Sequence, residues 1–169
     1  KELEEKLGKH YFDILENNQK VFNEVIIEDL IEENKLVNRY EALLASAQID
    51  FEGEKRNLSQ LGKFMTSKDR DTRINAAKAY YGFLKENDDE IGDIYDKLVK
   101  LRTKMAQKLG YKNYVEFGYR RLGRLDYNAE MVANYRNQIK EVVVPEVEKL
   151  VQRQIKRIKI KNPLFIDLN

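Results

Sequence analysis

The spacing of apolar residues between Asp88 and Met105 constrains this chain more than any other feature. Ile91, Ile94, Leu98, Leu101 and Met105 recur every three or four positions, which lines them up as one stripe along a helix. Asp88 and Asp89 suit the N-terminus of that helix and Lys108 its C-terminus. Gly110 can then take the left-handed cap position. Asn113 is placed to cap a second helix through Tyr114, Val115, Phe117 and Tyr119, since its side chain can accept from a first-turn amide. The chain leaves through Arg120, Arg121, Gly123 and Arg124, and Asp126 or Asn128 caps a last helix. Two helices are thereby folded across a tight corner, with arginines and tyrosines gathered where they meet.

The flanking segments repeat the helical period. Leu3, Leu7, Tyr11 and Ile14 predict a first helix with Gly8 as a weak point, broken at Asn17–Asn18. Ile26, Leu30, Val37, Tyr40 and Leu44 predict a second, ending near Ala45–Ser46. From Gln48 to Leu58 the period changes: Ile49 and Phe51 alternate with polar residues, and Glu52-Gly53-Glu54-Lys55 can turn. A short β-hairpin near residues 48–58 is predicted, leaning on helices because so small a hairpin is marginal alone. Ser59 is placed to cap a brief helix over Leu61, Phe64 and Met65. Ser67 or Asp69 opens another with Ile74, Ala77, Tyr81 and Leu84 as its stripe, and Asn87 separates it from the Asp88 helix. After Asn128, Val132, Tyr135, Ile139 and Val142 run on through Val147, Leu150, Val151, Ile155 and Ile158. Pro145 lacks the amide that would bond to Glu141, so a kink is expected there. The fold class is mainly α: a helical bundle-like lobe with one short hairpin, residues 1–169 forming a single helical domain.

Composition narrows the function classes. At 169 residues and 42% hydrophobic the chain can bury a core. Its 31 basic and 29 acidic residues leave a net charge of only +2, which fits solvated helix faces and argues against a nucleic-acid field over the whole surface. Without cysteine there is no disulfide, thiolate metal site or cysteine nucleophile. No apolar run approaches the ~20 residues of a membrane helix, and no signal peptide is visible. A cytoplasmic location without membrane contact is the default. The chain opens at Lys1 inside a helical pattern and closes on an apolar tail from Pro163 to Asn169, which together suggest a piece of a longer protein.

The chemistry visible in the residues is sparse. His10 is the only histidine, whereas a zinc site takes about three or four protein ligands. It has no nucleophile elbow to partner it, and no glycine-rich phosphate loop is present. Asp29 and Glu33 share a helix face and could hold a divalent cation; with Glu28 and Glu32 they read better as a solvated face. Asp88, Asp89 and Glu90 read as acids matched to a helix N-terminus. Arg153, Lys156, Arg157, Lys159 and Lys161 form a basic run that also reads as a solvated face. The sharpest candidate is the set Tyr119, Arg120, Arg121, Arg124 and Tyr127. Arginine offers a rigid fork to carboxylates and tyrosine an apolar body with a polar tip, so together they could line a groove for peptide or other anionic groups.

Two long strings give the chain a relation. Residues 32–83, EENKLVNRYEALLASAQIDFEGEKRNLSQLGKFMTSKDRDTRINAAKAYYGF, and 90–136, EIGDIYDKLVKLRTKMAQKLGYKNYVEFGYRRLGRLDYNAEMVANYR, closely resemble oligoendopeptidase F of the thimet-oligopeptidase-like zinc metallopeptidases. LGYKNYVEFGYRR and RLDYNAEMVANYR are the most specific parts. The resemblance implies a mostly helical clam around a deep channel that admits short peptides and excludes folded proteins. In that family zinc sits on a His-Glu-x-x-His helix with a further glutamate nearby; the metal activates water and the motif glutamate acts as general base. That motif lies further toward the C-terminus than the part matched here, and this chain has neither of its histidines. No catalytic or metal-binding residue is therefore assigned, and no cofactor is expected in this chain, zinc belonging to the parent enzyme.

What the resemblance implies is the amino-side, non-catalytic lobe of a peptide hydrolase. Tyr119, Arg121, Arg124 and Tyr127 match the family's Gly-Tyr…Arg…Asp-Tyr stretch and are expected to line the substrate channel. The implied partners are the missing catalytic part of the same protein and short peptides, with self-association of the exposed apolar surface and no nucleic acid. The competing reading is a free-standing helical interaction module that binds nucleic acid or an acidic partner.

Overall fold

The computed structural model describes residues 2–168; Lys1 and Asn169, at the two ends read from sequence, lie outside the described residues. The stretch with the regular stripe forms helix α6 (Asp88–Lys108). Ile94 and Met105 from its stripe are buried, with Ile91, Leu98 and Leu101 half-buried. Gly110 ends it at φ 85°, the left-handed geometry that glycine adopts without a Cβ penalty. Asn113 accepts from the amide of Val115 and starts α7 (Tyr114–Arg121). Asn128 accepts from Met131 and starts α8 (Ala129–Gln138).

Before these come α1 (Glu2–Leu7), α2 (Lys9–Val21), α3 (Ile27–Ala45), α4 (Leu58–Phe64) and α5 (Arg70–Glu86), with α9 (Val144–Ile158) at the far end. Strands β1 (Ile49–Phe51) and β2 (Glu54–Arg56) pair antiparallel, Ile49 opposite Arg56 and Phe51 opposite Glu54. Glu52 and Gly53 both have positive φ, 53° and 80°, as a tight two-residue hairpin loop requires. The chain is mainly α with one hairpin, as the periodicity predicts. Among the described residues no helix is long and apolar enough to cross a membrane.

Two compact units emerge from the backbone contacts: Lys1–Leu36 with Asp96–Ile139, and Val37–Tyr95 with Lys140–Asn169. The first has Ile26, Met105, Ala106 and Phe117 at its centre, surrounded by Val21, Leu30, Leu109, Tyr111 and Tyr114. Tyr111 stacks on Phe117 at 5.5 Å and Tyr114 meets it edge-on at 5.7 Å. The second is built on Phe51, Leu61 and Ala76, with Ile49, Phe64, Met65 and Tyr80 around them. Here the hairpin gains the apolar support it needs, including Arg56 over the Phe64 ring at 4.7 Å.

Several local expectations are corrected. Helix α2 runs straight through Asn17–Asn18, because Asn17 is buried and spends its amide on the carbonyl of Arg120 at 2.9 Å. The break falls at Gly8 instead, at φ 79°. Helix α4 is capped by Asn57 rather than Ser59: Asn57 accepts from Gln60, whose side chain accepts the Asn57 amide in return. Tyr81 is exposed, and the buried face of α5 is centred on Ala76 and Ala77. The last long helix is interrupted before Pro145 by a π-helical turn, Ile139–Val143, which takes up the missing amide and the crowding of the proline ring.

Candidate functional site

Helix α7 carries the candidate residues, and three separate ties hold it within the first unit. Phe117 fixes its apolar face in the core. Asn17 Nδ2 donates to the carbonyl of Arg120 near its C-terminus, a carbonyl that also accepts the Gly123 amide. Arg121 donates from Nη1 to Glu33 Oε1 at 3.0 Å and from Nη2 to Oε2 at 2.9 Å. Arg102 of α6 adds a bond from Nε to Glu33 Oε1 at 2.6 Å. Such a two-pronged charge-assisted pair with a third donor is a geometrically specific contact.

Glu33 is 4% exposed, and Asp29, one helical turn earlier, is equally buried. Asp29 Oδ1 accepts from Lys104 at 2.9 Å and Oδ2 from Lys108. The sequence reading of Glu28, Asp29, Glu32 and Glu33 as a solvated face therefore fails for Asp29 and Glu33. Burial alone would raise the pKa of both carboxyls, but the hydrogen bonds from Arg121 and Arg102 on Glu33, and from Lys104 and Lys108 on Asp29, hold both below their ordinary values. Four cations meet two carboxylates here, so the divalent-cation reading of Asp29 and Glu33 is lost as well. Among the described residues no group of His, Cys, Asp or Glu is arranged to hold a metal ion. Zinc does not fit the side chains of the described residues.

Tyr119 and Tyr127 do come together, with ring centroids 6.2 Å apart and nearly perpendicular. Arg124 lies over the Tyr119 ring at 4.9 Å, within cation–π range. Arg121 does not join them, being turned to Glu33. Tyr119 and Tyr127 line a cleft of about 680 Å³ together with Lys112, Glu116, Arg120 and Asn128. Tyr127 also lines a second groove of about 450 Å³ with Arg124, Met131 and Tyr135. Residue type and proximity in sequence located the tyrosines. Glu33, Arg102 and Asn17 carried no such signal, because their partners lie far away along the chain.

Solved structures place this geometry among known proteins. A protein assigned as an oligoendopeptidase F from Bacillus anthracis str. Ames is 51% identical over 98% of this chain, with a TM-score of 0.92. PZ peptidase A, solved with an inhibitor, is 49% identical over 98% with a TM-score of 0.93. Another protein assigned as oligoendopeptidase F is 48% identical over 98%, also at 0.93. Over nearly its whole length the chain is similar to oligoendopeptidase F. It spans only about 30% of the length of each of these structures. No protein-family model and no curated protein matches it. The similarity to oligoendopeptidase F rests on agreement of sequence and backbone together, since about half the residues and nearly the whole backbone of this chain coincide with part of each structure.

Proposed function

We propose that this chain is the amino-side helical lobe of a zinc-dependent oligoendopeptidase that hydrolyses short peptides, that it forms part of the wall of the substrate channel, and that it is not catalytic by itself. The observation that carries this reading is the identity of about one half over 98% of the chain against oligoendopeptidase F structures three times its length. Zinc, when bound to the rest of such a protein, would supply an activated water. This chain would supply shape and contacts: Tyr119, Tyr127 and Arg124 at the channel wall, with Arg121 supporting the helix that bears Tyr119 from behind. Its partners are then the remaining polypeptide and the peptide substrate, and its location the cytoplasm.

The exposed apolar positions support a covered face in the complete protein. Val144, Val147 and Leu150 of α9 are between 41% and 58% exposed, on a helix whose opposite side carries Glu146, Lys149 and Arg153. Water-facing apolar stripes of this kind mark interaction surfaces. The test is peptide hydrolysis by the complete protein. Tyr119→Ala and Tyr127→Ala should raise KM for short peptides severalfold while leaving zinc content unchanged. The 169-residue chain alone should neither retain zinc nor cleave peptide; stoichiometric zinc with turnover in that chain would overturn the reading.

A further inference from the structure

Two consecutive arginines on α7 have opposite fates. Every terminal nitrogen of Arg121 points at a saturated carboxylate, whereas Arg120 faces the 680 Å³ cleft beside Tyr119 and Tyr127. Arg120 Nη2 reaches Glu116 Oε1 at 3.5 Å, the outer limit of a hydrogen bond, and the Glu116 side chain is 65% exposed. Pairs of this kind contribute little and exchange readily with water or ligand. Arg120 Nε is buried without a partner, so the long contact with Glu116 is the one hydrogen bond this side chain makes among the described residues, whereas both terminal nitrogens of Arg121 are held by Glu33. The Arg120 backbone, in contrast, is fixed through the bond from the buried Asn17. The result is an anchored arginine with a weakly held head at the edge of an aromatic cleft.

The rest of the lining points the same way. The Tyr119 and Tyr127 hydroxyls make no hydrogen bond among the described residues, and Lys112 on the same wall makes no ion pair among them. We infer that Arg120 recognises a carboxylate of a bound peptide and that Glu116 is the internal carboxylate this group displaces. A planar fork suits a carboxylate better than a single amide oxygen, and the two tyrosine rings offer apolar surface to the side chain beside it. Glu116 and Asp126 keep the cleft near neutral, so the attraction is local to the guanidinium and not a general pull on anions. This inference rests on the channel-wall reading and adds to it the group recognised.

The experiment measures calorimetric binding of the tripeptide Ala-Ala-Phe and of its C-terminal amide to the complete protein. The free acid should bind about tenfold more tightly than the amide, as expected for one charge-assisted hydrogen bond in a partly exposed site. Arg120→Gln should abolish that preference. Glu116→Gln should tighten the free acid severalfold and leave the amide unchanged, because it removes only the competitor. An acid-to-amide ratio that survives Arg120→Gln, or a Glu116→Gln variant that weakens the acid, overturns the inference. If Tyr119→Ala weakens both peptides equally while Arg120→Gln affects neither, the channel reading stands and this one falls. Indifference of both peptides to Tyr119→Ala and Tyr127→Ala would remove the channel reading and this inference together.

Discussion

Removing the Glu33 carboxylate should be the most informative single perturbation of the first unit. The Glu33 side chain is 5% exposed and receives three hydrogen bonds from two arginines, whose own side chains are 36% and 28% exposed. Breaking a buried pair by deleting one partner costs about 3–5 kcal/mol, chiefly because the remaining charge is left dry. Arg102 and Arg121 are open enough to recover part of their hydration, which places Glu33→Ala at the lower end, about 3 kcal/mol. For a chain of this size each kcal/mol moves the melting temperature by roughly 2–4 °C, so a fall of about 6–12 °C is expected. Circular dichroism melts at pH 7 measure it. Asp50→Asn is the control: Asp50 pairs with Lys55 at the surface, 78% and 59% exposed, and such pairs contribute about 0–1 kcal/mol.

Acid should erase the difference. The folded pKa of Glu33 is lowered, so its stabilisation is complete above the unfolded value of about 4.3 and is lost as pH falls through the lower folded value. Melts of the parent chain and of Glu33→Gln should therefore draw together as pH falls from the ordinary glutamate range through the lowered folded value. Replacing Glu33, Arg102 and Arg121 together by Leu, Met and Met should recover most of the loss, since an apolar replacement leaves no unpaired charge. A Glu33→Ala chain that melts as late as the Asp50→Asn control at pH 7 would refute the whole account of α7 positioning.

Two further expectations follow from the packing. Phe117 is fully buried between Tyr111 and Tyr114, and Phe117→Ala should lower stability by about 3–5 kcal/mol, read as a lower urea midpoint. Asp167 is enclosed and accepts from Arg70, Arg73 and the amide of Leu164; these bonds, Arg70 first, hold its carboxyl well below the usual range. Asp167→Asn should accelerate amide exchange at 164–168 at neutral pH, and the effect should fade in acid as the native carboxyl protonates.

Local chemistry was the part of the fold open to reading from residues. Gly110, Asn113, Asn128 and Asp69 act at helix ends through atoms two or three residues away, so their roles are written in the adjoining sequence. The hairpin is legible for the same reason, its turn being Glu52–Gly53. Glu33 and Glu32 cannot be told apart by that means. One is buried and one exposed because of arginines 69 and 88 positions onward. Asn17 in isolation reads as a helix breaker, whereas its bond to a carbonyl 103 residues away compensates for that weakness. In the candidate site, the tyrosine pair and Arg124 are legible from the sequence, whereas the turn of Arg121 to Glu33 is not.

The division of labour between Arg120 and Arg121 follows from helix geometry once Phe117 is fixed. Successive residues are turned by about 100°, so when Phe117 points into the core, Arg121 one turn later lies on the same side and meets the buried Glu33. Arg120 is rotated away from that side and reaches the cleft, as does Glu116, four residues before it. Burying one arginine beside the core requires a carboxylate to accompany it, and α3 supplies Glu33. The carboxylate pair that resembles a metal site in sequence is thus explained as the counter-charge of helix positioning. Its position on α3 fixes how α7 is turned against the core, because Arg121 must meet Glu33 while Phe117 stays buried.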